Sequence, residues 1–229
     1  SEDIAEKAIN FSGAELVTLA LKRFDKGESS ENILRPIGNK NLLPNTAGVL
    51  TADEAIRSAH ISKELFKTNL LKLEIISSAA NLDPNMEETL KAARSLSKED
   101  FEIYVYCDRD IDNCKKLEDM GCVAIMPLGS SIGSGRGFDN LIDLEKLRSQ
   151  ISQVLIVDAG LGVPSEASTV MEMGYDAVLV NSAIAQAKDP TRMAESFKKG
   201  VEAGRLAYLA GRIPVSDKAK ASSPTSFLK

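Results

Sequence analysis

Residues 69–77 read NLLKLEIIS, an apolar run with one lysine and one glutamate in its middle. Such a run is typical of a buried β-strand. Side chains of a strand alternate between two faces, so Lys72 and Glu74 share one face while Leu71 and Leu73 share the other. Isolated charges are costly inside a protein. The pair therefore indicates a functional site in the interior; the structural alternatives are a buried ion pair or an edge strand with one wet face.

Similar apolar runs recur along the chain and alternate with segments of helical periodicity. Strands separated by helices indicate βαβ units, and therefore a parallel sheet covered by helices. The predicted strands are residues 15–21, 41–45, 69–76, 101–107, 122–128, 153–159 and 176–181. The predicted helices are residues 2–11, 52–67, 87–98, 110–119, 139–150, 164–173 and 190–209.

This pattern predicts an α/β fold, and a (βα)8 TIM barrel of roughly 250 residues fits the chain length. Seven strands leave such a barrel one short, and the free place for the first strand is upstream of Ser1. A doubly wound open sheet uses seven strands without loss and is the structural alternative. We expect the barrel to cover residues 1–212. A flexible tail at residues 213–229, rich in Lys, Ser and Pro, is expected to follow, with a mobile lid as its alternative reading.

The composition narrows the classes of function. A net charge of -5 argues against a nucleic-acid partner, which normally requires a basic face. No apolar run reaches the roughly 18 residues that cross a bilayer, so we expect no membrane partner. Three cysteines without metal-ligand spacing indicate reduced thiols in a cytosol-like compartment. His60 is the only histidine, which leaves no histidine-rich zinc site.

Lys72 is a candidate nucleophile, because a lysine on a barrel strand can form an imine with a carbonyl substrate once it is deprotonated. Burial lowers the pKa of a lysine, whereas an ionised Glu74 beside it would raise that pKa. If Lys72 is catalytic, we therefore expect burial to dominate, or Glu74 to be protonated or turned aside. Glu74 would then be free to move protons on the bound imine.

Other candidate residues follow predicted strands, at the end where barrels carry their active sites. Asp158 ends the apolar run of VLIVDAGLG and is either a general acid/base or a cap of the following loop. The stretch PLGSSIGSGRG at residues 127–137 places Gly133 after a strand, and its composition suits a nest of N–H groups around an anion. Asn181 and Ser182 are placed to open a short helix after the last strand, where such barrels often hold phosphate. Two candidate anion sites near one buried lysine suggest a phosphorylated carbonyl substrate.

Six segments that occur in order resemble the thiazole synthase family of bacterial and plastid thiamine biosynthesis. They are LLPNTAG, KLEII, MPLGSSIGSG, IVDAGLGVPSEA, DAVLVNSAIAQAKDP and AGRLAYLAGRIP. The resemblance runs from about Ala8 to Pro214. It implies a (βα)8 barrel that joins 1-deoxy-D-xylulose 5-phosphate, dehydroglycine and sulfur from a thiocarboxylated carrier protein into a thiazole phosphate carboxylate. It also implies a homotetrameric transferase of the cytoplasm or plastid stroma, with no cofactor or metal.

The resemblance further implies roles for individual residues. The family's Schiff-base lysine falls on Lys72, its adjacent carboxylate on Glu74 and its second acid/base on Asp158. The implied sugar-phosphate contacts are Gly133, Ala159, Gly160, Asn181 and Ser182.

The sequence departs from the family in three respects. The first strand of the family is absent before Ser1, and Val49 and Ser131 stand where cysteine and proline are usual. Neither replacement touches the expected chemistry. Two other functions stay open. The first is another phosphosugar Schiff-base barrel, such as an aldolase or a pyridoxal-phosphate synthase subunit, and the second is a non-catalytic barrel that only docks the carrier protein.

Overall fold

The computed structural model of the protein describes residues 2–26, 30–80 and 82–222. Seven strands form one sheet whose order in space is their order in the chain, and all neighbouring strands run parallel. The strands are β1 Leu16–Ala20, β2 Asn41–Asn45, β3 Leu70–Leu73, β4 Glu102–Cys107, β5 Ala124–Pro127, β6 Val154–Asp158 and β7 Ala177–Leu179. A doubly wound sheet reverses its strand order, whereas a barrel does not. The predicted α/β barrel is confirmed.

The helices occupy the segments between the strands. They are α1 Glu2–Ser12, α2 Ser30–Leu34, α3 Ala52–Phe66, α4 Met86–Leu96, α5 Ile111–Asp119, α6 Leu141–Gln150, α7 Pro164–Glu172, α8 Ser182–Ala185 and α9 Pro190–Ala210. Two 3₁₀ helices, Leu21–Lys26 and Arg35–Ile37, flank α2 between β1 and β2. The sequence pattern did not predict these short elements, because one or two turns carry no measurable helical period.

Side-chain caps explain where several helices begin. Thr51, Asn85 and Asp110 precede α3, α4 and α5, and each accepts a hydrogen bond from the backbone N–H three residues ahead. Such a bond satisfies one of the N–H groups that have no partner within the first helical turn. At α7 the helix begins at Pro164 itself, with Val163 in the capping position. Proline suits this first position because its missing N–H would be unpaired there in any case.

The sheet has one strand fewer than a complete barrel. Within the described part of the chain, β1 and β7 lie at the two edges of the sheet, and the strand order records no pairing between them. Helix α1 packs against α9, the long helix that follows β7, so the first and last helices of the fold meet. The described residues thus form a (βα)8 barrel that lacks one strand, as the strand count predicted.

Alternate residues of the strands face two different environments. Leu71, Leu73 and Ile75 are fully buried in the main apolar cluster between the strands and the helices. A second cluster is formed by Ala124, Met126 and Ile156, with Tyr104 packed against it. Because Lys72 pairs with Tyr104 in the sheet, its side chain lies on the face of that second cluster. The lysine therefore enters the barrel interior.

Three further predictions concern the rest of the chain. No helix of the described segments is long and apolar enough to span a membrane. All three cysteines are buried and free of disulfides. Residues 211–222 are exposed and form neither helix nor strand, and the remainder of the predicted tail, residues 223–229, lies outside the described residues. The division into a barrel and a flexible tail stays a prediction.

Candidate active site

The centre of the candidate site is the amino group of Lys72. Its Nζ lies 3.1 Å from Oε2 of Glu74 and 2.7 Å from Oδ2 of Asp158. Each of the three side chains is at least nine-tenths buried. Lys72 belongs to β3, Glu74 follows that strand directly, and Asp158 is the last residue of β6. The fold therefore brings together the three residues that the sequence predicted as catalytic.

The electrostatics of Lys72 differ from the expectation. Burial lowers the pKa of the ammonium group, but the carboxylates of Asp158 and Glu74 raise it more, and the pKa of Lys72 lies above its ordinary value of 10.5. Burial therefore does not dominate and Glu74 is not turned aside, whereas a protonated Glu74, the third expected alternative, stays a prediction. Residues 69–77 contain one carboxylate beside Lys72, whereas the fold supplies a second, Asp158, from β6. Lys72 is an ammonium at neutral pH, so it must give up a proton before it attacks a carbonyl.

Asp158 retains a capacity to accept a proton. Its Oδ2 is fully buried and lies 2.7 Å from the Lys72 ammonium, which is hydrogen-bond distance. An ionised carboxylate oxygen has two lone pairs to offer. A group of three or more His, Cys, Asp and Glu side chains that could hold a metal ion does not occur in the described segments. The polar chemistry at this centre is that of one amine and two carboxylates.

Tyr106 is a neighbour of Lys72 that the sequence analysis missed. Its ring centroid lies 5.7 Å from the lysine Nζ, and its hydroxyl donates a hydrogen bond to the carbonyl of Leu82 at 3.3 Å. Burial raises the pKa of the phenol, and nearby carboxylates add to that effect. The ring is therefore a neutral wall of the site. The alternation of side chains along β4 was the available signal, since Tyr104 is two residues away and pairs with Lys72.

The loops after β5 and β7 meet near the predicted phosphate contacts. A Cβ placed on Gly133 would lie 3.7 Å from the hydroxyl oxygen of Ser182, so the two residues are close neighbours. Gly133 has a φ of 74°, a conformation that favours glycine. Asn181 precedes α8, which begins at Ser182 as predicted. Backbone N–H groups and a hydroxyl are suitable donors for a phosphate.

The loop after β6 packs against the loop after β5. The Gly137 N–H donates a hydrogen bond to the Gly160 carbonyl at 2.8 Å. A Cβ on Gly160 would collide with the hydroxyl oxygen of Ser130. Ala159 has a φ of 69°, which is uncommon for a residue that carries a Cβ and is often found at functional sites. The predicted contacts Ala159 and Gly160 therefore lie in a closely packed loop that directly follows Asp158.

An open cavity of about 680 Å³ lies over the ends of β4 and β5. Leu128 lines it and forms a β-bridge with Asp158, but Lys72 is not among the lining residues, so the cavity lies beside the lysine rather than over it. Arg109 donates hydrogen bonds to the carbonyls of Leu128 and Gly129 at 3.2 and 2.7 Å, and thereby fixes the start of the glycine-rich loop.

The sequence of the chain matches a known protein family and several relatives. The family described as Thiazole biosynthesis protein ThiG matches residues 1–224. The thiazole synthase of Paramagnetospirillum magneticum is 49% identical over 96% of this chain and 69% of its own length. That of Dechloromonas aromatica is 50% identical over 99% of this chain and 90% of its own length, and that of Vibrio atlanticus is 49% identical over 100% and 91%.

Solved structures agree with the fold. The Amycolatopsis orientalis BexX/CysO complex contains a chain that is 27% identical, with a TM-score of 0.87 over 95% of this chain and 90% of that one. A native KDPGal structure is 14% identical with a TM-score of 0.61 over 90% of each chain, a likeness of fold alone. The resemblance recognised in the sequence is confirmed by the curated relatives, and the chain belongs to the ThiG family of thiazole biosynthesis proteins.

Proposed function

We propose that this thiazole synthase acts through a Schiff base between Lys72 and the ketone of 1-deoxy-D-xylulose 5-phosphate. The observation that carries the proposal is the contact of the lysine Nζ with two buried carboxylates, at 3.1 and 2.7 Å. Imine formation needs an amine that can lose its proton and a base that can receive it. Lys72 supplies the amine, and Glu74 and Asp158, each in contact with its Nζ, supply the bases.

Imine formation begins with a proton transfer. The Lys72 ammonium gives a proton to the carboxylate of Glu74, and the free amine attacks the ketone carbon. The resulting carbinolamine takes the proton back onto its hydroxyl and loses water, so that a C=N bond replaces the C=O bond. The transfer neutralises Lys72 and Glu74 and leaves the Asp158 carboxylate as the buried charge of the three residues.

A second proton transfer follows on the sugar. The protonated imine withdraws electrons from the adjacent carbon, which makes its C–H acidic. Asp158 is suited to remove this proton, because its buried Oδ2 lies 2.7 Å from the Lys72 Nζ, the atom that becomes the imine nitrogen. Protonation of the former imine carbon and loss of the hydroxyl proton from the adjacent carbon then deliver a carbonyl at that adjacent carbon, with Lys72 held as an amine. The imine serves as the electron sink, so this step needs no cofactor.

The later steps bring in two further reactants. The thiocarboxylate of a sulfur carrier protein adds its sulfur to the new carbonyl, and its C–S bond breaks as the carrier leaves as a carboxylate that has taken up the carbonyl oxygen. Condensation with dehydroglycine then closes the thiazole ring and releases the Lys72 amine and one water. The phosphate is held by Gly133, by the Ala159–Gly160 segment and by Asn181 and Ser182. The proximity of Gly133 to Ser182 supports this assignment. The BexX/CysO complex supports a protein partner for this fold. A homotetramer in the cytoplasm or plastid stroma completes the proposal.

Trapping with borohydride tests the imine. Incubation of the protein with the sugar phosphate and borohydride should fix the substrate mass on the peptide that contains Lys72. Lys72→Ala should abolish the adduct, whereas Lys115→Ala, at an exposed lysine, should leave it intact. An unmodified Lys72 peptide in the wild-type protein would refute the Schiff base and would favour a barrel that only docks the carrier.

A phosphosugar Schiff-base aldolase is the second candidate, because the same buried lysine and carboxylates would serve it. Dependence on the sulfur carrier separates the two functions. A thiazole synthase should form its product only with the thiocarboxylated carrier present. An aldolase should cleave its sugar phosphate without any carrier.

A further inference from the structure

Thr46 holds the backbone of Glu74 through both functions of its hydroxyl. Its Oγ1 accepts a hydrogen bond from the Glu74 N–H at 2.9 Å and donates one to the Glu74 carbonyl at 2.8 Å. Thr46 is only 2% exposed. A hydroxyl has one proton to donate and lone pairs to accept with. Here both capacities are directed to a single residue.

The path of the chain after β2 explains this arrangement. The Thr46 N–H still donates to the Lys72 carbonyl at 3.2 Å, as in a regular ladder. The Thr46 carbonyl instead accepts from the Val49 N–H at 3.3 Å and closes a turn, so it is not the partner that a parallel strand would offer to Glu74. Pairing resumes where the Ile76 N–H donates to the Val49 carbonyl at 3.1 Å. The Thr46 side chain thus replaces the missing backbone partner.

Glu74 differs in this respect from the other two members of the candidate site. Lys72 pairs within the sheet with residues of β2 and β4, and Asp158 pairs with β7. Glu74 lies past the last residue of β3. Its backbone N–H and carbonyl are both bonded to Thr46, and its Oε2 lies 3.1 Å from the lysine Nζ.

We propose that Thr46 is the positioning residue of Glu74: its hydroxyl fixes the backbone from which the Glu74 carboxylate reaches Lys72. It acts through Glu74 and not on the substrate. The inference rests on the proposed function, in which Glu74 carries protons to and from the lysine and the imine.

Thr46→Val removes the hydroxyl and keeps the shape of the side chain. Two buried backbone groups of Glu74 then lose their partner, and the carboxylate shifts as the backbone seeks another. We expect kcat to fall about 10- to 100-fold, because a catalytic group displaced by about 1 Å can lose up to about 100-fold in rate. The KM for the sugar phosphate should stay within about twofold, because its phosphate is held after β5, β6 and β7. Thr46→Ser keeps the hydroxyl and should retain kcat within about threefold.

Thr89→Val is the matched control. Thr89 is fully buried in α4, and its hydroxyl has no hydrogen-bond partner among the described residues. The substitution is chemically the same but breaks no contact with the site. We expect the wild-type kcat, and an equal loss in both valine variants would assign the effect of Thr46 to general packing.

A double-mutant cycle with Glu74→Gln tests the route of the effect. If Thr46 acts through Glu74, adding Thr46→Val to the Glu74→Gln variant should change kcat by less than about twofold. An equal fold-loss in both backgrounds would overturn the proposal. An unchanged kcat for Thr46→Val in the wild-type background would overturn it as well.

Hydrogen exchange keeps the inference testable if Thr46→Val does not fold. The Glu74 amide of the wild-type protein should exchange slowly, as a buried and hydrogen-bonded group does. Fast exchange would overturn the positioning role, whatever the reaction. A missing Lys72 adduct in wild-type protein with a slowly exchanging Glu74 amide would instead refute the proposed function alone.

Discussion

Lys72 keeps its proton between two carboxylates, and this ties the stability of the protein to pH at the alkaline end. The pKa of Lys72 in the folded protein is raised above the ordinary value of 10.5, which the unfolded chain retains. The stabilising effect is fully present below pH 10.5 and is lost as the pH rises through the folded pKa.

Lys72→Met measures this effect. The variant leaves two buried carboxylates without their cation, and we expect it to be less stable by about 3–5 kcal/mol near pH 10. The difference from wild type in the free energy of unfolding should shrink by about 1.4 kcal/mol per pH unit above 10.5. Denaturant titrations from about pH 9.5 to 12 give both values. A difference that grows with pH up to about 10.5 would mean that burial outweighs the carboxylates.

Asp158→Asn separates imine formation from the later proton transfer. The variant keeps the shape of the side chain and removes the charge that raises the pKa of Lys72 most strongly. We expect the borohydride adduct to form, while thiazole formation falls about 10²- to 10⁴-fold, the range of a lost acid/base. Mass spectrometry of the Lys72 peptide and product assay on the same samples give the two readings. A variant that forms no adduct would assign Asp158 to the imine step itself.

Some of this site is readable from single residues, and some is not. The period of two along residues 69–77 placed Lys72 and Glu74 on one interior face, because a parallel sheet covered by helices has no wet face. Among the groups that raise the pKa of Lys72, the second carboxylate, Asp158, has the largest effect. Asp158 is distant in the chain, so no local pattern shows that it touches the lysine. The family resemblance supplied that link.

At the scale of elements, the loop after β6 depends on a glycine that no other residue can replace. Gly160→Ala would strain a φ of 83° and bring its Cβ to 2.5 Å from the backbone nitrogen of Ser130. We expect a loss of about 2–4 kcal/mol in the free energy of unfolding, from strain and overpacking together. Gly121→Ala is the control, with a φ of 84° and no atom within 4 Å of its Cβ.

The control separates backbone strain from crowding. Gly121→Ala should cost only about 1–2 kcal/mol, the strain of a left-handed residue. Thermal unfolding of the two variants compares them directly. Gly160→Ala should also raise the KM for the sugar phosphate, because the loop is a proposed phosphate contact. Equal losses of stability and an unchanged KM would show that the packing against Ser130 is dispensable.

The strands and most helices were predictable, because their apolar periods are long and regular. The exceptions have local causes. Glu74 was predicted within a strand, but β3 ends at Leu73. The chain turns away after Thr46, and the Thr46 side chain, not a strand backbone, bonds the N–H and carbonyl of Glu74. The elements between β1 and β2 are too short to show a period. Side-chain substitutes for backbone pairing cannot be read from a hydrophobic pattern.

At the scale of the whole molecule, curvature of the sheet assembles the proposed phosphate site. Gly133 and Ser182 follow strands that are not neighbours, since β6 lies between β5 and β7. Their closeness requires the sheet to bend and the loops at its C-terminal edge to converge. The strand count predicted a barrel with one strand missing, and the structure confirms it. The number of strands alone does not indicate which loops meet.

Truncations at the end of the described chain test which residues the stability and activity of the barrel require. Ile213 and Val215 are 83% and 79% exposed, so the residues after α9 contribute little buried apolar surface. A chain ended at Arg212 should keep its Tm within about 2 °C and its rate of borohydride trapping unchanged. A chain ended at Val201 loses half of α9, including Gly204, which packs closely against Ser168 and Met171 of α7.

The two truncations distinguish a tail from a lid. We expect the chain ended at Val201 to lose at least about 5 °C in Tm, because α9 packs on both α1 and α7 and joins the two ends of the barrel. If the segment after Arg212 closes over the site, trapping by the longer truncation should slow at an unchanged Tm, since closure excludes water without adding to the core. Unchanged trapping and unchanged Tm together would confine the catalytic domain to residues 1–212.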